Sequence, residues 1–472
     1  FEHMMSRQVD QSGNDVFSSF EGKVVLVLGA GATGASIVRW LTLNGATVVL
    51  ADSRENLPGF GLLQKEFPEI TVRPGPFSDK LFTGVDLVVS SPGVPLAALP
   101  LERLKNQEIP VFGDIEIFLR ENINRFRAKV IAITGTNGKS TVTRMVEKIL
   151  QSCGLDAVAV GNIGVPVLDV LTQILKGDRA PPDVFVIEIS SFQIDTTYSF
   201  EFDAMAVLNI SEDHLDRYPS FDAYAASKCR IYSGRGVRIV NRDDPMVYGA
   251  IPMLDSVVSF GLSRPNGHGE WGVDQVEGDL WLMCGEQKVC RSAELKVSGS
   301  HNVSNALAAL ALSSTVLVRR EGLATGLLSY EGLNHRMQWV ADVGGVRFYN
   351  DSKATNVGAT LAAISGLSTP CVLILGGESK QQNFALLIEA VRENIRAVVL
   401  MGKDAPLIKH ALRDAGAQIY DAPSMIDAVR LSAEMAKCGD VVLLSPGCAS
   451  FDMFESYAHR GDMFVDAVRS LS

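Results

Sequence analysis

The chain has 472 residues, and one compact core rarely grows past ~250–300 residues, so it divides into two or three domains. Hydrophobic residues make up 47% and charged residues 21%, which excludes wholesale disorder. A net charge of −11 argues against a general nucleic-acid or anionic-membrane binder but allows a local basic pocket for a phosphorylated or carboxylated small molecule. No stretch approaches the ~20 apolar residues of a membrane helix. The polar N-terminus lacks the apolar run of a signal peptide, and Phe1–Met4 reads as an appended segment before a natural start at Met4 or Met5. The seven cysteines are scattered and form no CxxC pair, so a reduced, cytoplasmic protein without structural zinc is expected.

Along the chain, strand and helix signals alternate. Lys23–Leu28 is a continuous apolar run ending in glycines. A helical pattern follows from Thr33 to Asn44, stopped by Gly45, and Ala46–Ala51 is a second apolar run, completing a βαβ unit. The pattern restarts at Val130–Ile133, followed by a glycine-rich loop and a helix to about Cys153. Val184–Ile189 and Ala204–Ile210 read as further buried strands. Residues 236–298 are glycine-rich with short strand-like pieces and read as a peripheral β region. A third series comprises Cys371–Leu375, Ala397–Met401 and Val441–Leu444. Three restarts predict three α/β domains, divided near Leu119–Ala128 and near Gly332, at residues 1–120, 121–332 and 333–472.

Two glycine loops carry chemistry. Gly29-Ala-Gly31-Ala-Thr-Gly34 is a full GxGxxG between a strand and a helix, and Asp52 ends the next strand. Glycines there let backbone amides approach a diphosphate, and the helix N-terminus favours the anion. By itself this admits either an NAD enzyme or a Rossmann-like domain for another nucleotide. Thr134-Gly-Thr-Asn-Gly-Lys-Ser-Thr141 also joins a strand to a helix. Ile133 stands where a strict Walker A has its first glycine. Even so, Gly135 and Gly138 can free amides for phosphates, Lys139 can reach them, and Ser140 can ligand Mg²⁺. A mid-chain phosphate loop points to ATP, which an NAD dehydrogenase does not explain.

This octapeptide resembles the ATP loop of the Mur ligase superfamily, which joins amino acids to carboxylates. The resemblance continues in order along nearly the whole chain, through Gly161–Gly164, Glu188–Gln193, Leu208–Asp216, Ser227-Lys228, His301–Asn305, His335-Arg336, Asn350–Asn356 and Ser445–Asp452. It implies a Rossmann-like N-terminal domain, a central P-loop-like ATPase domain with a mostly parallel sheet, and a Rossmann-like C-terminal domain. Within the superfamily the motifs are most similar to members that add D-glutamate to UDP-N-acetylmuramoyl-L-alanine in peptidoglycan precursor synthesis. A monomer using ATP and Mg²⁺, with no nucleic acid or membrane partner, is expected.

By this resemblance, Gly135, Thr136, Asn137, Gly138, Lys139, Ser140 and Thr141 cradle the ATP phosphates. Asn302 and Asn305 lie near the base or the hinge, Arg336 reaches the phosphates and Asp351 the ribose. Ser140, Glu188 and His214 are implied Mg²⁺ ligands, joined by Lys228 as a carbamate; Lys139, Glu188, His214 and Lys228 form the catalytic set. Thr33, Asp52 and Arg54 match positions contacting uridine. Ser91, Gly93 and Asn162 would lie beside the diphosphate, and Ser190 and Gln193 near the sugar-peptide part. Lys353, Thr355, Lys380, Ser450, Phe451 and Tyr457 are implied for D-glutamate.

The residues also make chemical sense alone. Amide formation from a carboxylate needs activation; ATP supplies it by making an acyl phosphate, which the amine attacks as phosphate leaves. Such phosphoryl transfer rests on positioning and charge neutralisation. The remaining alternatives are an NAD-dependent oxidoreductase, which lacks here a catalytic pair for hydride transfer, and a sister ligase for another amino acid. The Asp-Asn-Pro-Arg motif of the diamino-acid ligase is not found in the chain.

Overall fold

The computed structural model describes residues 19–55, 58–251, 257–267, 269–297, 299–318, 321–367 and 369–471; the expected start at Met4 or Met5 lies outside them. Three sheets follow one another along the chain. The first is a five-stranded parallel sheet in the order β3-β2-β1-β4-β5. Its strands are β1 (Val24–Leu28), β2 (Thr47–Asp52), β3 (Thr71–Pro74), β4 (Leu87–Ser90) and β5 (Val111–Phe112). β1 is apolar throughout and β4 is apolar up to its last residue, Ser90, because helices cover both faces of such a sheet. The glycine fingerprint turns the chain from β1 into helix α1 (Ala32–Leu43). Gly34 has to be glycine, since a Cβ there would lie 1.8 Å from the Gly29 carbonyl oxygen. The strand order reverses between β1 and β4, which sets Ser91 against Gly29 at the place where such sheets bind ligands.

Helix α2 (Asp114–Glu121) carries the chain into the second sheet. It is welded to that sheet's loops rather than hinged. The buried Glu116 carboxylate accepts from the Tyr198 and Ser199 amides and the Ser199 hydroxyl, each at 2.8 Å, and from Arg120. One continuous apolar cluster runs from Val27 and Ile37 through Phe118 to Phe185 and Met205.

The second sheet has nine strands in the order β14-β13-β12-β11-β10-β9-β6-β8-β7. β6 (Lys129–Thr134), β7 (Ala157–Gly161), β8 (Val184–Glu188), β9 (Ala204–Val207), β10 (Val237–Asn241) and β11 (Val257–Phe260) run parallel. β12 (Trp271–Val276), β13 (Asp279–Cys284) and β14 (Gln287–Arg291) extend its edge as an antiparallel meander. Residues 236–298 are therefore not merely peripheral: β10 and β11 continue the central sheet. Arg238 disguised β10. Its guanidinium is buried and satisfied by the Tyr232 and Gly234 carbonyls, so a polar residue occupies a core strand.

The third sheet is ordered β15-β16-β20-β17-β18-β19. A hairpin of β15 (Gln338–Val343) and β16 (Val346–Asn350) opens it. β17 (Cys371–Gly376), β18 (Ile395–Met401), β19 (Gln418–Asp421) and β20 (Val441–Leu444) add parallel strands. The hairpin and β19 escape a hydrophobicity reading because β15 and β19 are largely half-exposed edges and β16 alternates buried and half-exposed residues. Loops at the carboxyl ends of the second and third sheets face each other, and the candidate site lies between them.

Candidate active site

The phosphate loop leaves β6 and enters helix α3 (Lys139–Ser152). Gly138 is left-handed, with φ of 82°, and a Cβ there would lie 2.4 Å from the Asn305 Oδ1 atom. The loop is fastened from behind by Asn209. Its Oδ1 accepts from the Asn137 amide at 2.8 Å, and its carbonyl accepts from the Thr136 amide at 2.9 Å. Ser140 and Thr141 are buried in the first turn of α3. Lys139 folds back and donates to the carbonyls of Gly135 (2.7 Å) and Thr136 (2.8 Å). Burial pushes its ammonium down to about 8, against the opposing pull of Glu188 and Asp213.

Lys228 sits on helix α5 and reaches the same loop; between α3 and α5 lies the short helix α4 (Ser191–Asp195), and α5 spans Phe221–Cys229. Only 2% exposed, it donates to the Gly135 carbonyl at 3.0 Å and stands 4.8 Å over the Tyr224 ring. Burial, reinforced by the Lys139 charge, pushes the Lys228 amine well below its ordinary range. Glu188 ends β8 and is buried. Its Oε1 accepts from Asn162 at 2.8 Å, while its Oε2 has no hydrogen-bond partner. A buried carboxylate oxygen left unpaired is costly, and a cation is the natural remedy. His214 holds a left-handed turn, φ 55°, and burial keeps its imidazole neutral, with a lone pair free for a metal. Among the described residues, no three His, Cys, Asp or Glu side chains converge into a metal cluster. Glu188, His214, the Ser140 hydroxyl and Lys228 line one cavity, and the unpartnered Glu188 oxygen is the group there that could hold a cation.

Two cavities flank this centre. One, of ≈ 150 Å³, is bounded by Asn137, Gly138, Asn302, Asn305, Arg336 and Asp351, with Leu208, Phe260 and Leu333 as apolar walls. Asn302 and Asn305 stand in helix α6 (Ser300–Val316) and bond to each other at 3.3 Å. Asp351 accepts from the Ser445 hydroxyl at 2.9 Å and the Met337 amide at 3.2 Å; burial pushes its carboxyl up to about 7. The other cavity, of ≈ 380 Å³, brings together Lys139, Ser140, Asn162, Glu188, Ser190, His214 and Lys228 with Lys353, Thr355, Lys380, Ser450, Phe451 and Tyr457. Lys353 lies 3.7 Å over the Tyr457 ring, which opens helix α8, and burial followed by the Arg336 charge pushes it down to about 8; helix α7 (Val357–Ser365) precedes α8 (Tyr457–Arg469). Asn356 caps α7 with its Oδ1 and donates with Nδ2 to Asp213 (3.2 Å) and Asn137 (3.1 Å). Lys380, also left-handed, stands 3.4 Å from Asp213. These contacts join the two domains across the cavity.

The first-domain candidates lie apart: Thr33, Asp52, Arg54, Ser91 and Gly93 line neither cavity. Asp52 accepts from the Ala30 amide at 2.8 Å and from Arg54 through two bonds of 2.9 Å. Burial opposes its charge, but these donors outweigh it and hold the carboxyl down at about 2. Gln193 is turned inward. Its Nε2 donates to Asp114, and its Oε1 closes a capping box with Ser190 at the start of α4. It fastens α4 to α2, so any influence on a ligand is indirect.

Asp213, Phe192 and Tyr224 also line the larger cavity, although the sequence alone gives them no role. Asp213 and Phe192 lay inside quoted motifs but drew no role. Tyr224 precedes Lys228 by one helical turn, a spacing that shows only once α5 is known. Phe260 had no signal, because its strand was read as peripheral.

Family models match in the same order as the three sheets. "Mur ligase MurD-like, N-terminal domain" covers residues 23–113, "Mur ligase middle domain" 133–313, and "Mur ligase, glutamate ligase domain" 335–448. The UDP-N-acetylmuramoylalanine–D-glutamate ligase of Methylobacillus flagellatus is 45% identical over 449 residues, 95% of this chain and 97% of that one. The chain belongs to the Mur ligase family. The enzyme of the same name from Thiobacillus denitrificans is 46% identical, covering 96% of this Mur ligase and 97% of its own length. The pseudomurein peptide ligase type C of Methanothermus fervidus has a TM-score of 0.60 at 18% identity, over 96% of this chain and 100% of that one. The UDP-N-acetylmuramate-alanine ligase of Thermotoga maritima gives 0.59 at 17%, over 95% and 100%. At such identities these structures speak for the fold, and they agree with the three-domain α/β architecture expected for a Mur ligase.

Proposed function

We propose that this chain is the ATP-dependent ligase that joins D-glutamate to UDP-N-acetylmuramoyl-L-alanine in peptidoglycan precursor synthesis. One observation carries it. A single cavity gathers the phosphate-loop lysine, a buried carboxylate with an unpaired oxygen, and two further lysines from the third sheet's loops. Phosphoryl transfer needs the first two, and a dicarboxylic amino acid calls for the last. The full-length likeness to D-glutamate ligases supports the same substrate pair.

In this reading the L-alanine carboxylate attacks the γ-phosphorus of ATP, ADP leaves, and an acyl phosphate forms. The neutral amine of D-glutamate attacks its carbonyl carbon, inorganic phosphate departs, and the amine gives up a proton. Gly135–Thr141 and Lys139 hold the phosphates, with Arg336 at their outer side. Asn302, Asn305 and Asp351 take the base and ribose. Ser140, Glu188, neutral His214 and Lys228 as a carbamate would hold Mg²⁺, which supplies charge neutralisation at the transferring phosphate. Thr33, Asp52 and Arg54 take uridine, Ser91, Gly93 and Asn162 the diphosphate, and Ser190, braced by Gln193, the sugar-peptide. Lys353, Thr355, Lys380, Ser450, Phe451 and Tyr457 receive D-glutamate. Residues 1–120, 121–332 and 333–472 divide these tasks.

We place the enzyme in the cytoplasm as a monomer. Its seven cysteines are all free, which supports a reducing compartment. No helix among the described residues is long and apolar enough to cross a membrane. The test is phosphate release from ATP with UDP-N-acetylmuramoyl-L-alanine and a panel of amino acids. D-glutamate should be the preferred acceptor. Turnover with L-alanine or a diamino acid in its place, or a nicotinamide absorbance change, would overturn the reading.

A further inference from the structure

Arg217 belongs to the second sheet's loops yet reaches the first domain. Its guanidinium points two nitrogens at the carbonyls of Pro92 (3.4 Å) and Gly93 (3.5 Å), in the loop after β4. The same guanidinium stacks 4.2 Å over the Phe192 ring. Phe192 in turn meets the His214 imidazole edge-to-face, with centroids 4.8 Å apart. Arg217 and His214 are also geared through the backbone, because the Arg217 amide donates to the His214 carbonyl at 2.9 Å across the left-handed turn. One side chain thus touches the loop expected to hold the diphosphate and the ring that backs the imidazole.

From this geometry we infer that Arg217 is a positioning residue, which sets the Ser91–Val94 loop of the first domain against His214 and so aligns the UDP-substrate with the reacting phosphate. The inference rests on the proposed function and deepens it. The physics needs Arg rather than any cation. A planar, delocalised guanidinium can stack on a ring with its face while its edge donates to two carbonyls; an ammonium keeps the charge but loses that fork. The contacts to these carbonyls are long, so the binding effect is modest. The effect on turnover follows from a loosened Phe192 and a misplaced imidazole.

The experiment is steady-state kinetics and calorimetry on Arg217→Ala, Arg217→Lys, Phe192→Leu and the double variant Arg217→Ala/Phe192→Leu. Arg217→Ala should raise the KM for the UDP-substrate roughly tenfold, as expected for a weak charge-assisted bond. It should lower kcat by a further factor and leave the KM values for ATP and D-glutamate in place. Arg217→Lys should recover part of the KM effect and little of the kcat effect. The two single losses in kcat should be non-additive in the double variant, because both sever the same link. A purely structural role would lower the melting temperature and move all three KM values together, which would overturn the inference. So would additive losses, or unchanged binding of the UDP-substrate to Arg217→Ala. If the wild-type protein itself fails to bind the UDP-substrate, the proposed function falls first, and the inference falls with it.

Discussion

Lys139 and Lys228 donate to one acceptor, the carbonyl oxygen of Gly135, at 2.7 and 3.0 Å. Burial, followed by the Lys139 charge, pushes the Lys228 amine well below its ordinary range, so it gives up a proton more readily than an exposed lysine. A neutral amine is the form that attacks carbon dioxide, giving a carbamate and one proton. The modification would turn a repelling neighbour into an anion facing Lys139 and would supply an oxygen donor beside Glu188 and His214. Lys228→Ala should be nearly inactive and partly restored by short carboxylates, which can occupy the vacated place. Activity of the wild type should fall on thorough removal of bicarbonate. A wild-type rate from Lys228→Ala would end the proposal.

Lys139 is the cation built into the phosphate loop. Loss of a preorganised charge on a transferring phosphate typically costs ~3 kcal/mol or at least ~10²-fold in rate. Lys139→Ala should therefore lose nearly all turnover with its melting transition intact. Rapid phosphate release from that folded variant would show that the loop does not hold the reacting phosphate.

Glu188 carries its prediction in one atom. Its Oε2 is buried without a partner, whereas Oε1 is held by Asn162. If a divalent cation completes that oxygen, Glu188→Gln should raise the Mg²⁺ concentration for half-maximal activity by at least ~10-fold, with less change in the KM for D-glutamate. Titrating activity against Mg²⁺ checks this. An unchanged Mg²⁺ midpoint would remove Glu188 from the ligand set.

How much of this was legible in the sequence depended on whether the signal was local. β1 and β6 carry apolar runs before glycine turns, so strand, turn and helix could be read together, and the phosphate loop came with its context. β10 was hidden because Arg238 interrupts its apolar run, and hydropathy does not register that the Tyr232 and Gly234 carbonyls satisfy the buried guanidinium. The site followed the same rule. Lys139, Glu188 and His214 announce themselves by motif, whereas the roles of Asp213 and Gln193 depend on partners 167 and 79 residues away. No periodicity encodes such distances; they emerge when two sheets bring their carboxyl edges together. The uridine candidates Asp52 and Arg54 are paired with each other in the fold, with Ala30 as a second donor to Asp52 and the exposed Arg54 as the outward-facing member, an arrangement no local pattern shows.

Asp351 gives a pH prediction. Its folded carboxyl titrates near about 7, raised by burial from the ordinary 3.8. Between those values the folded protein holds a proton that the unfolded chain has lost. This contribution to stability is fully present below about pH 4 and is lost as pH rises through about 7. Asp351→Asn has no such proton. Wild-type stability relative to the variant should therefore decline from pH 4 to pH 7 and level off above it, in denaturant unfolding at fixed salt. A flat difference, or one that grows with pH, would mean the carboxylate is charged in the folded state.

Lys380 decides the amino-acid site. Its ammonium is 3.4 Å from the Asp213 carboxylate, across the boundary between the second and third sheets' loops. In the proposed function a carboxylate of D-glutamate would compete for the same cation, and Thr355, Ser450 and Lys353 line the cavity around it. Losing a charge-assisted hydrogen bond of ~1.5–3 kcal/mol corresponds to ~10–150-fold in affinity. The lower end is expected for Lys380→Ala, because binding must first displace Asp213. The KM for D-glutamate should rise accordingly in Lys380→Ala and, less, in Ser450→Ala. The KM for ATP should change little, since the Asn302, Asn305 and Asp351 cavity is separate from Lys380. The KM for the UDP-substrate should also hold, because Asp52 and Arg54 lie on the first sheet. A result in which the ATP KM rises and the D-glutamate KM does not would place Lys380 on the phosphates instead. The closing contact between Lys380 and Asp213 would then serve nucleotide capture rather than amino-acid recognition.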